Sequence, residues 1–334
     1  MREKVTVIVP VYNGKDTIER CVNSLLNQSF NNINIIIVND GSTDNTEEIL
    51  HNLYSNNKKI TLLHQKNQGV SAARNYALSE VKTKYVTFTD ADDFVDSDYI
   101  SNLLRGFSDP LIDLSINGIK RYDPEKKTNY NISHYRTGIF DNKYMLSYVL
   151  SASGPKGYLC NKMWKMDIIK KYQLSLDSSV KMAEDLLFTV NYLLFARKIV
   201  IENYCGYNYV NRSNSLSSGI DVRNKNNKFK ETNLNYINAY LKIIHLISES
   251  DKYKRSKIDA EANLGLIYTS FLRQLKLVND EKTNSKIYKK IKKDSLNLLS
   301  SVIITKNIGI KRKIVYLITL INPKLMLILD KSKN

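Results

Sequence analysis

The sequence predicts an α/β fold followed by a mostly helical region, and three observations carry that reading. In the first ninety residues, short β-branched runs alternate with amphipathic stretches. Polar clusters follow the β-rich runs at regular intervals. After Ser218 the chain becomes rich in Asn and Lys and takes on long helical periodicity.

The elements follow in order. Lys4–Val11 reads as a strand, with a helix near Asp16–Asn27. Ile33–Val38 is a second strand, with a helix near Thr43–Tyr54. Ile60–His64 and Val70–Glu80 repeat the pair, and Tyr85–Thr89 is the fourth strand. The apolar runs are continuous rather than alternating, which indicates parallel strands buried on both faces. From Asp113 to Phe140 the pattern shortens, as in a small antiparallel region. A helix over Glu184–Phe195 and a strand over Lys198–Tyr207 follow. Three helices are expected at Leu234–Ile247, Lys257–Val278 and Lys286–Leu299. No low-complexity linker separates the halves, so the expected division is residues 1–220 and 221–334.

Composition narrows the class. The 334 residues are 43% hydrophobic and 25% charged, with 12 Gly and 5 Pro, as in a folded globular chain. The three cysteines, Cys21, Cys160 and Cys205, are far apart and form no CxxC pair. Neither a zinc site nor a disulfide framework is indicated, and a reducing cytoplasm fits best. The apolar run Val5–Val11 contains Thr6 and Pro10 and is too short for a secretion signal or a membrane span. Net charge is +17 and falls mostly on residues 221–334. Such a surface suits a nucleic acid or an anionic membrane. The charge lies outside the strand-end crevice and no nucleic-acid motif is present, so a nucleic-acid partner is not expected.

In doubly wound sheets, ligands bind beyond the carboxyl ends of the strands. Asn13 and Gly14 end the first strand, Asp40 and Gly41 the second, Asn67 and Gly69 the third, and Asp90, Asp92 and Asp93 the fourth. Four strands thus aim polar groups at one crevice. Carboxylates two residues apart, Asp90 and Asp92, can converge on a hard divalent cation such as Mn²⁺ or Mg²⁺. Asp40 precedes Gly41 at a strand–turn–helix junction and can receive a nucleobase N–H, whereas Ser42 and Thr43 serve as helix caps. Arg74 is placed to pair with phosphate or with the acidic cluster.

The blocks Val7-Ile8-Val9-Pro10-Val11-Tyr12-Asn13, Asn39-Asp40-Gly41-Ser42-Thr43-Asp44, Asn67-x-Gly69-x-x-x-Ala73-Arg74-Asn75 and Asp90-Ala91-Asp92-Asp93 together resemble the family 2 glycosyltransferases. The resemblance covers about residues 1–220 and is of the bacterial surface-polysaccharide kind. It implies a GT-A fold and transfer of one sugar, with inversion, from a UDP-sugar to a saccharide acceptor, free or lipid-linked. Pro10, Val11 and Tyr12 would border the uracil and Asp40 would bind it. Asn67 and Arg74 would hold the nucleotide, and Asp90, Ala91 and Asp92 would meet ribose, diphosphate and metal. Met182-Ala183-Glu184-Asp185 resembles the family's Glu-Asp block, which makes Asp185 the expected base and Glu184 an acceptor-side neighbour. Tyr207-x-Tyr209-x-x-Arg212-Ser213-x-Ser215 resembles a loop that closes over the diphosphate, implicating Arg212 and Ser215. Cys160-Asn161-Lys162-Met163-Trp164 also resembles a family segment, and Trp164 offers either a stacking face for a sugar or core packing.

A nucleotidyltransferase is the competing enzyme class. It would place a Gly-rich, cationic phosphate loop after the first strand, where this chain has Tyr12-Asn13-Gly14-Lys15. The apolar run Ile314–Leu329 is broken by Asn322, Pro323 and Lys324, so it is too short to span a bilayer. With Lys311–Lys313 it reads as an interfacial segment on an anionic inner leaflet, or as a core or homo-oligomer helix.

Overall fold

The computed structural model describes residues 4–211, 234–277, 281–323 and 325. The strands are β1 (Val5–Val11), β2 (Ile33–Asn39), β3 (Ile60–His64), β4 (Tyr85–Phe88), β5 (Phe94–Val95), β6 (Ile112–Asp123), β7 (Thr128–Asn131), β8 (Gly138–Asp141), β9 (Lys162–Lys165) and β10 (Lys198–Val210). The early helices are α1 (Ile18–Leu26), α2 (Thr46–Tyr54), α3 (Val70–Glu80), α4 (Tyr99–Arg105), α5 (Asn142–Leu150), α6 (Met166–Lys171) and α7 (Glu184–Phe195). Then come α8 (Leu234–Ser248), α9 (Lys254–Leu277), α10 (Glu281–Asn297), α11 (Leu299–Ile304) and α12 (Ile310–Ile321).

Among the described residues the chain forms two compact units. One comprises residues 1–145, 153–179 and 184–211; the other comprises 146–152, 180–183 and 212–334. The expected boundary near 220 falls outside the described residues.

The first unit is built on one mixed sheet, in the order β3-β2-β1-β4-β9-β6-β10-β5, with β7 on β6 and β8 on β10. The four expected strands are all parallel: β1 pairs β2 and β4, and β2 pairs β3. The order reverses at β1, which has β2 on one side and β4 on the other, so the polar ends of these strands gather around a topological switch point. All seven residues of β1 are buried, as expected of a strand covered on both faces. Helix α1 buries Ile18, Cys21, Val22 and Leu25, the i, i+3, i+4, i+7 stripe of a surface helix.

Beyond β4 the pairing turns antiparallel, through β9. The short pattern expected from Asp113 to Phe140 is instead headed by a twelve-residue strand, β6, buried through its first eight residues. Of its buried polar residues, Ser115 and Asn117 have side-chain atoms without a hydrogen-bond partner among the described residues, whereas Asp113 has partners far away in sequence. Asp113 is held by Lys165 Nζ at 3.0 Å and by Arg197 Nη2 at 2.8 Å.

The second unit is helical, and α9 packs against α8, α10, α11 and α12. Its interior is apolar, with Ala260, Leu264, Tyr268, Leu272, Val302 and Tyr316 buried. Buried hydroxyls find partners, as where Thr305 Oγ1 donates to Asp259 Oδ1 at 2.5 Å. No described helix is long and apolar enough to cross a membrane.

Candidate active site

Three turns gather at the ends of the parallel strands and carry most of the candidate site residues. After β1, Asn13 takes a left-handed conformation (φ 51°). Its Oδ1 accepts the Thr43 N–H at 2.8 Å, and its own N–H donates to Ser42 Oγ at 2.9 Å. Ser42, Thr43 and Asp44 are therefore engaged in joining the ends of β1 and β2, which is why α2 begins at Thr46 rather than at Thr43.

Asp40 is buried and bonds across to the turn after β3. It accepts from Gln65 Nε2 at 2.7 Å, the Gln68 N–H at 2.9 Å and the Gly69 N–H at 2.8 Å. Gly41 has φ +68°, and a Cβ there would lie 2.7 Å from the Asn67 nitrogen, so only glycine fits between the turns. A carboxylate offers about four acceptor positions, and three are filled here. Tyr12 and Asn67 are exposed beside this clamp, while Pro10 and Val11 are buried beneath it.

The third turn, 90–93, is fixed from all sides. Asp93 is buried, accepting from the Tyr207 hydroxyl at 2.6 Å and the Val210 N–H at 2.8 Å. Burial, with the charges of Asp90 and Asp92, pushes its carboxyl well above the usual range. The Tyr207 hydroxyl also accepts the Asp90 N–H at 3.2 Å. Arg20 Nη2 donates to the Asp92 carbonyl at 2.5 Å. Asp90, Ala91 and Asp92 stay partly accessible. Tyr207, read in the sequence only as part of a loop segment, is brought to the acidic turn by the fold, on β10.

One arginine joins this turn to Glu184, the neighbour of the expected base. Arg74, on α3, has a side chain only 9% exposed. Its Nη2 bonds Asp90 Oδ1 at 2.8 Å, and its Nη1 reaches Glu184 Oε1 at 3.3 Å. Of the two partners expected for Arg74, the acidic cluster is present. Its Nε is buried with no hydrogen-bond partner among the described residues. An orphaned buried donor costs about 1–3 kcal/mol, and an incoming phosphate oxygen would satisfy it.

Glu184 and Asp185 open α7, where a helix dipole favours carboxylates. Asp185 Oδ1 accepts the Leu186 N–H at 2.7 Å. Burial raises both carboxyls. For Glu184, burial and the Asp185 charge together outweigh Arg74 and push its pKa up to about 7. Asp185 is lowered again by the Leu186 N–H and by the cations of Arg74 and Lys162.

Trp164 requires a correction. It is fully buried and meets Phe188 and Tyr192 edge-on, with ring centroids 5.3 and 4.9 Å away. It is a core residue and has no free face for a sugar, because β9 is an interior strand flanked by β4 and β6. Arg212 and Ser215 lie outside the described residues.

The donor set suits a hard divalent cation. Asp90 and Asp92 offer carboxylate oxygens on one turn, and Mn²⁺ or Mg²⁺ takes one or two carboxylates and completes its shell with phosphate and water. No cluster of three or more His, Cys, Asp or Glu ligands occurs among the described residues, so a cation here would need a substrate's phosphate oxygens.

A Rossmann-like sheet with an acidic turn at its switch point, followed by a helical region, is the architecture of the GT-A fold. The family model for Glycosyl transferase family 2 matches residues 6–172, and the chain belongs to that family. It is an enzyme, a glycosyltransferase. Glycosyltransferase GlyA of Streptococcus pneumoniae serotype 4 is 31% identical over 229 residues, 64% of this chain and 32% of GlyA, so the chain spans about a third of that relative's length. The S. aureus TarS 1–349 structure in complex with UDP superposes with a TM-score of 0.62 at 17% identity, covering 90% of this chain and 89% of that one. The mannosyltransferase PcManGT of Pyrobaculum calidifontis, in complex with GDP-Man and Mn²⁺, gives 0.56 at 14% identity over 97% and 88%. Both structural likenesses carry the fold.

Proposed function

We propose that the chain transfers a single sugar from a UDP-sugar to a saccharide acceptor, free or lipid-linked, with inversion, in the synthesis of a bacterial surface polysaccharide. The observation that carries this reading is the chain Asp90–Arg74–Glu184, which ties the acidic turn to the start of α7, next to Asp185. Donor-side and acceptor-side groups are thereby held in one frame, and such positioning supplies a large share of catalysis.

The uracil rests against Val11 and Tyr12 and uses the remaining acceptor position of Asp40. The ribose lies by Asp90 and Ala91, and the Arg74 Nε meets a diphosphate oxygen. The acceptor hydroxyl attacks the anomeric carbon from the face opposite the diphosphate. Asp185 takes the hydroxyl proton as the new bond forms. UDP departs with the electron pair of the broken C–O bond. A divalent cation held by Asp90 and Asp92 would supply charge neutralisation for the departing diphosphate. No protein nucleophile takes part.

The relatives' names and neighbours' ligands support the class rather than the sugar. TarS has also been crystallised with UDP-GlcNAc, and one relative, 26% identical over 213 residues, is a poly(ribitol-phosphate) beta-glucosyltransferase of Bacillus spizizenii. The test is UDP release from a panel of UDP-sugars with free and lipid-linked acceptors. Acceptor-stimulated UDP release supports the reading, and pyrophosphate in place of UDP would point to a nucleotidyltransferase instead.

The reading extends to a place on an anionic membrane, with the enzyme peripheral on its inner face. On α12 the row Ile310, Ile314, Leu317 and Ile321 is 76%, 49%, 39% and 77% exposed, while Tyr316 and Leu320 turn inward. Lys311, Arg312 and Lys313 interleave the row. An amphipathic helix of this kind lies flat in the headgroup region. Replacing Ile314 and Ile321 together with Glu should cut sedimentation with phosphatidylglycerol vesicles by about tenfold or more, since each buried Ile contributes about 1.5–3 kcal/mol. Equal partitioning of variant and parent would assign the row to another role; if the variant instead breaks up an oligomer, that role is self-association.

A further inference from the structure

We propose that Lys162 is a positioning residue for the transfer reaction: its buried ammonium is the counter-charge of Asp185 and fastens the loop against which the helix of Asp185 begins. The inference rests on the reading of Asp185 as the base.

Lys162 lies on β9 and is fully buried. Its Nζ donates to the Pro155 carbonyl at 3.2 Å, the Tyr158 carbonyl at 2.6 Å and Asn161 Oδ1 at 3.0 Å. All three acceptors are neutral. An ammonium sealed away from water on neutral oxygens alone is expensive unless an anion stands nearby. Burial pulls Lys162 down to about 7, and Cys160 and Asp185 oppose that fall. Burial also pushes the Cys160 thiol far up. Of these two neighbours, the carboxyl of Asp185 rather than the thiol is therefore the group that can stand as an anion beside the ammonium.

The mechanical link is independent of charge. The carbonyls held by Lys162 belong to the loop 155–158, which lies against the first turns of α7. A Cβ on Gly157 would stand 2.2 Å from Leu186 Cα, so the loop backbone touches the residue next to Asp185. Thr189 Oγ1, one turn on, donates to the Gly157 carbonyl at 3.0 Å. Lys162 thus fixes the loop, and the loop fixes the start of α7. Arg74 holds the same start from the other side through Glu184. Arg74 and Lys162 both lower the Asp185 carboxyl, and among the described residues Lys162 bonds no carboxylate of its own.

The groups facing Asp185 are Arg74 from α3, Asp90 from the turn after β4, Tyr158 from the loop, Lys162 from β9, and Glu184 from α7 itself. Removing the Lys162 charge leaves burial and the acidic neighbours less opposed. The Asp185 carboxyl then holds its proton to higher pH. The sign is fixed: the acid limb of kcat moves toward higher pH, and activity recovers as pH rises above it.

The experiment measures kcat against pH, donor KM and Tm for Lys162→Met, Lys162→Gln and Lys162→Arg, with Asp185→Asn alongside. Met matches the length and removes charge and donor. Gln removes the charge but keeps an N–H donor, and serves if Met does not fold. An opposite charge close by commonly lowers a carboxyl by about 1–3 units. The acid limb should move up by about one unit in both neutral variants, with a loss of about tenfold in kcat at a pH on that limb. Donor KM should stay near the parent value, and Lys162→Arg should restore the parent limb. A limb that stays in place in the folded neutral variants, even with a lowered Tm or a pH-independent loss of kcat, overturns the proposal and leaves Lys162 as a purely structural lysine. If Asp185→Asn itself keeps full turnover, it is the base assignment that fails.

Discussion

Asp185→Asn should lose about 10²–10⁴-fold in kcat with acceptor present, the usual contribution of general-base catalysis. Asn keeps the shape and can still accept the Leu186 N–H, so α7 should start as before. Donor affinity should barely change, because the groups assigned to the nucleotide lie on the strand-end turns. Glu184→Gln is the internal control. Glu184 is pushed up to about 7 by burial and by Asp185, so it carries a proton much of the time near neutrality, and a neutral amide imitates that state. Gln still offers an oxygen to Arg74, and the loss should be far smaller. Steady-state kinetics on both variants decides it: wild-type turnover in Asp185→Asn would reduce the acidic pair to a helix start.

Asp92→Ala should abolish measurable turnover and cation-dependent UDP binding while leaving the fold intact. The fold should survive because the turn is held by other groups. Arg20 bonds the carbonyl of residue 92, which an alanine keeps, Asp93 holds Tyr207 and the Val210 N–H, and Arg74 holds Asp90. The catalytic loss should be large because the diphosphate gains charge as it leaves, and electrostatic stabilisation of that charge is commonly the largest single contribution. Calorimetry of UDP binding with Mn²⁺ and with EDTA checks the first part, and a thermal melt checks the second. Full activity in excess EDTA would contradict the assignment.

The strand ends were the most legible part of the molecule. Continuous apolar runs have few other readings, so β1, β2, β3 and β4 and the helix Val70–Glu80 fall where the sequence puts them. Less legible was anything that depends on a distant partner. Asp113, Ser115 and Asn117 look like surface residues, yet they lie in the buried stretch of β6; Asp113 is bearable there because of Lys165 and Arg197, 52 and 84 positions away. Lys162 and Lys165 bracket Met163 and Trp164 as if the ends of β9 were exposed, but neighbours on both edges and packing on both sides bury all four. The start of α2 shifts for a related reason: Ser42 and Thr43, the expected caps, bond across to Asn13, and Asp44 bonds Lys15 and Thr46. In the site, the separate blocks were visible one by one. Their assembly through Arg74, and the part of Tyr207 beneath the acidic turn, required the fold.

The account as a whole rests on a single displacement at the anomeric carbon, with Asp185 as base and no covalent sugar–enzyme intermediate. The most direct test is the anomeric configuration of the product. An active UDP-sugar from the release assay, bearing an α-linked sugar, is supplied with its acceptor, and the new linkage is read by proton NMR before any re-equilibration. The account predicts a β-linkage, formed with one UDP released per bond. An α-linkage, or a glycosylated enzyme trapped during turnover, would contradict it.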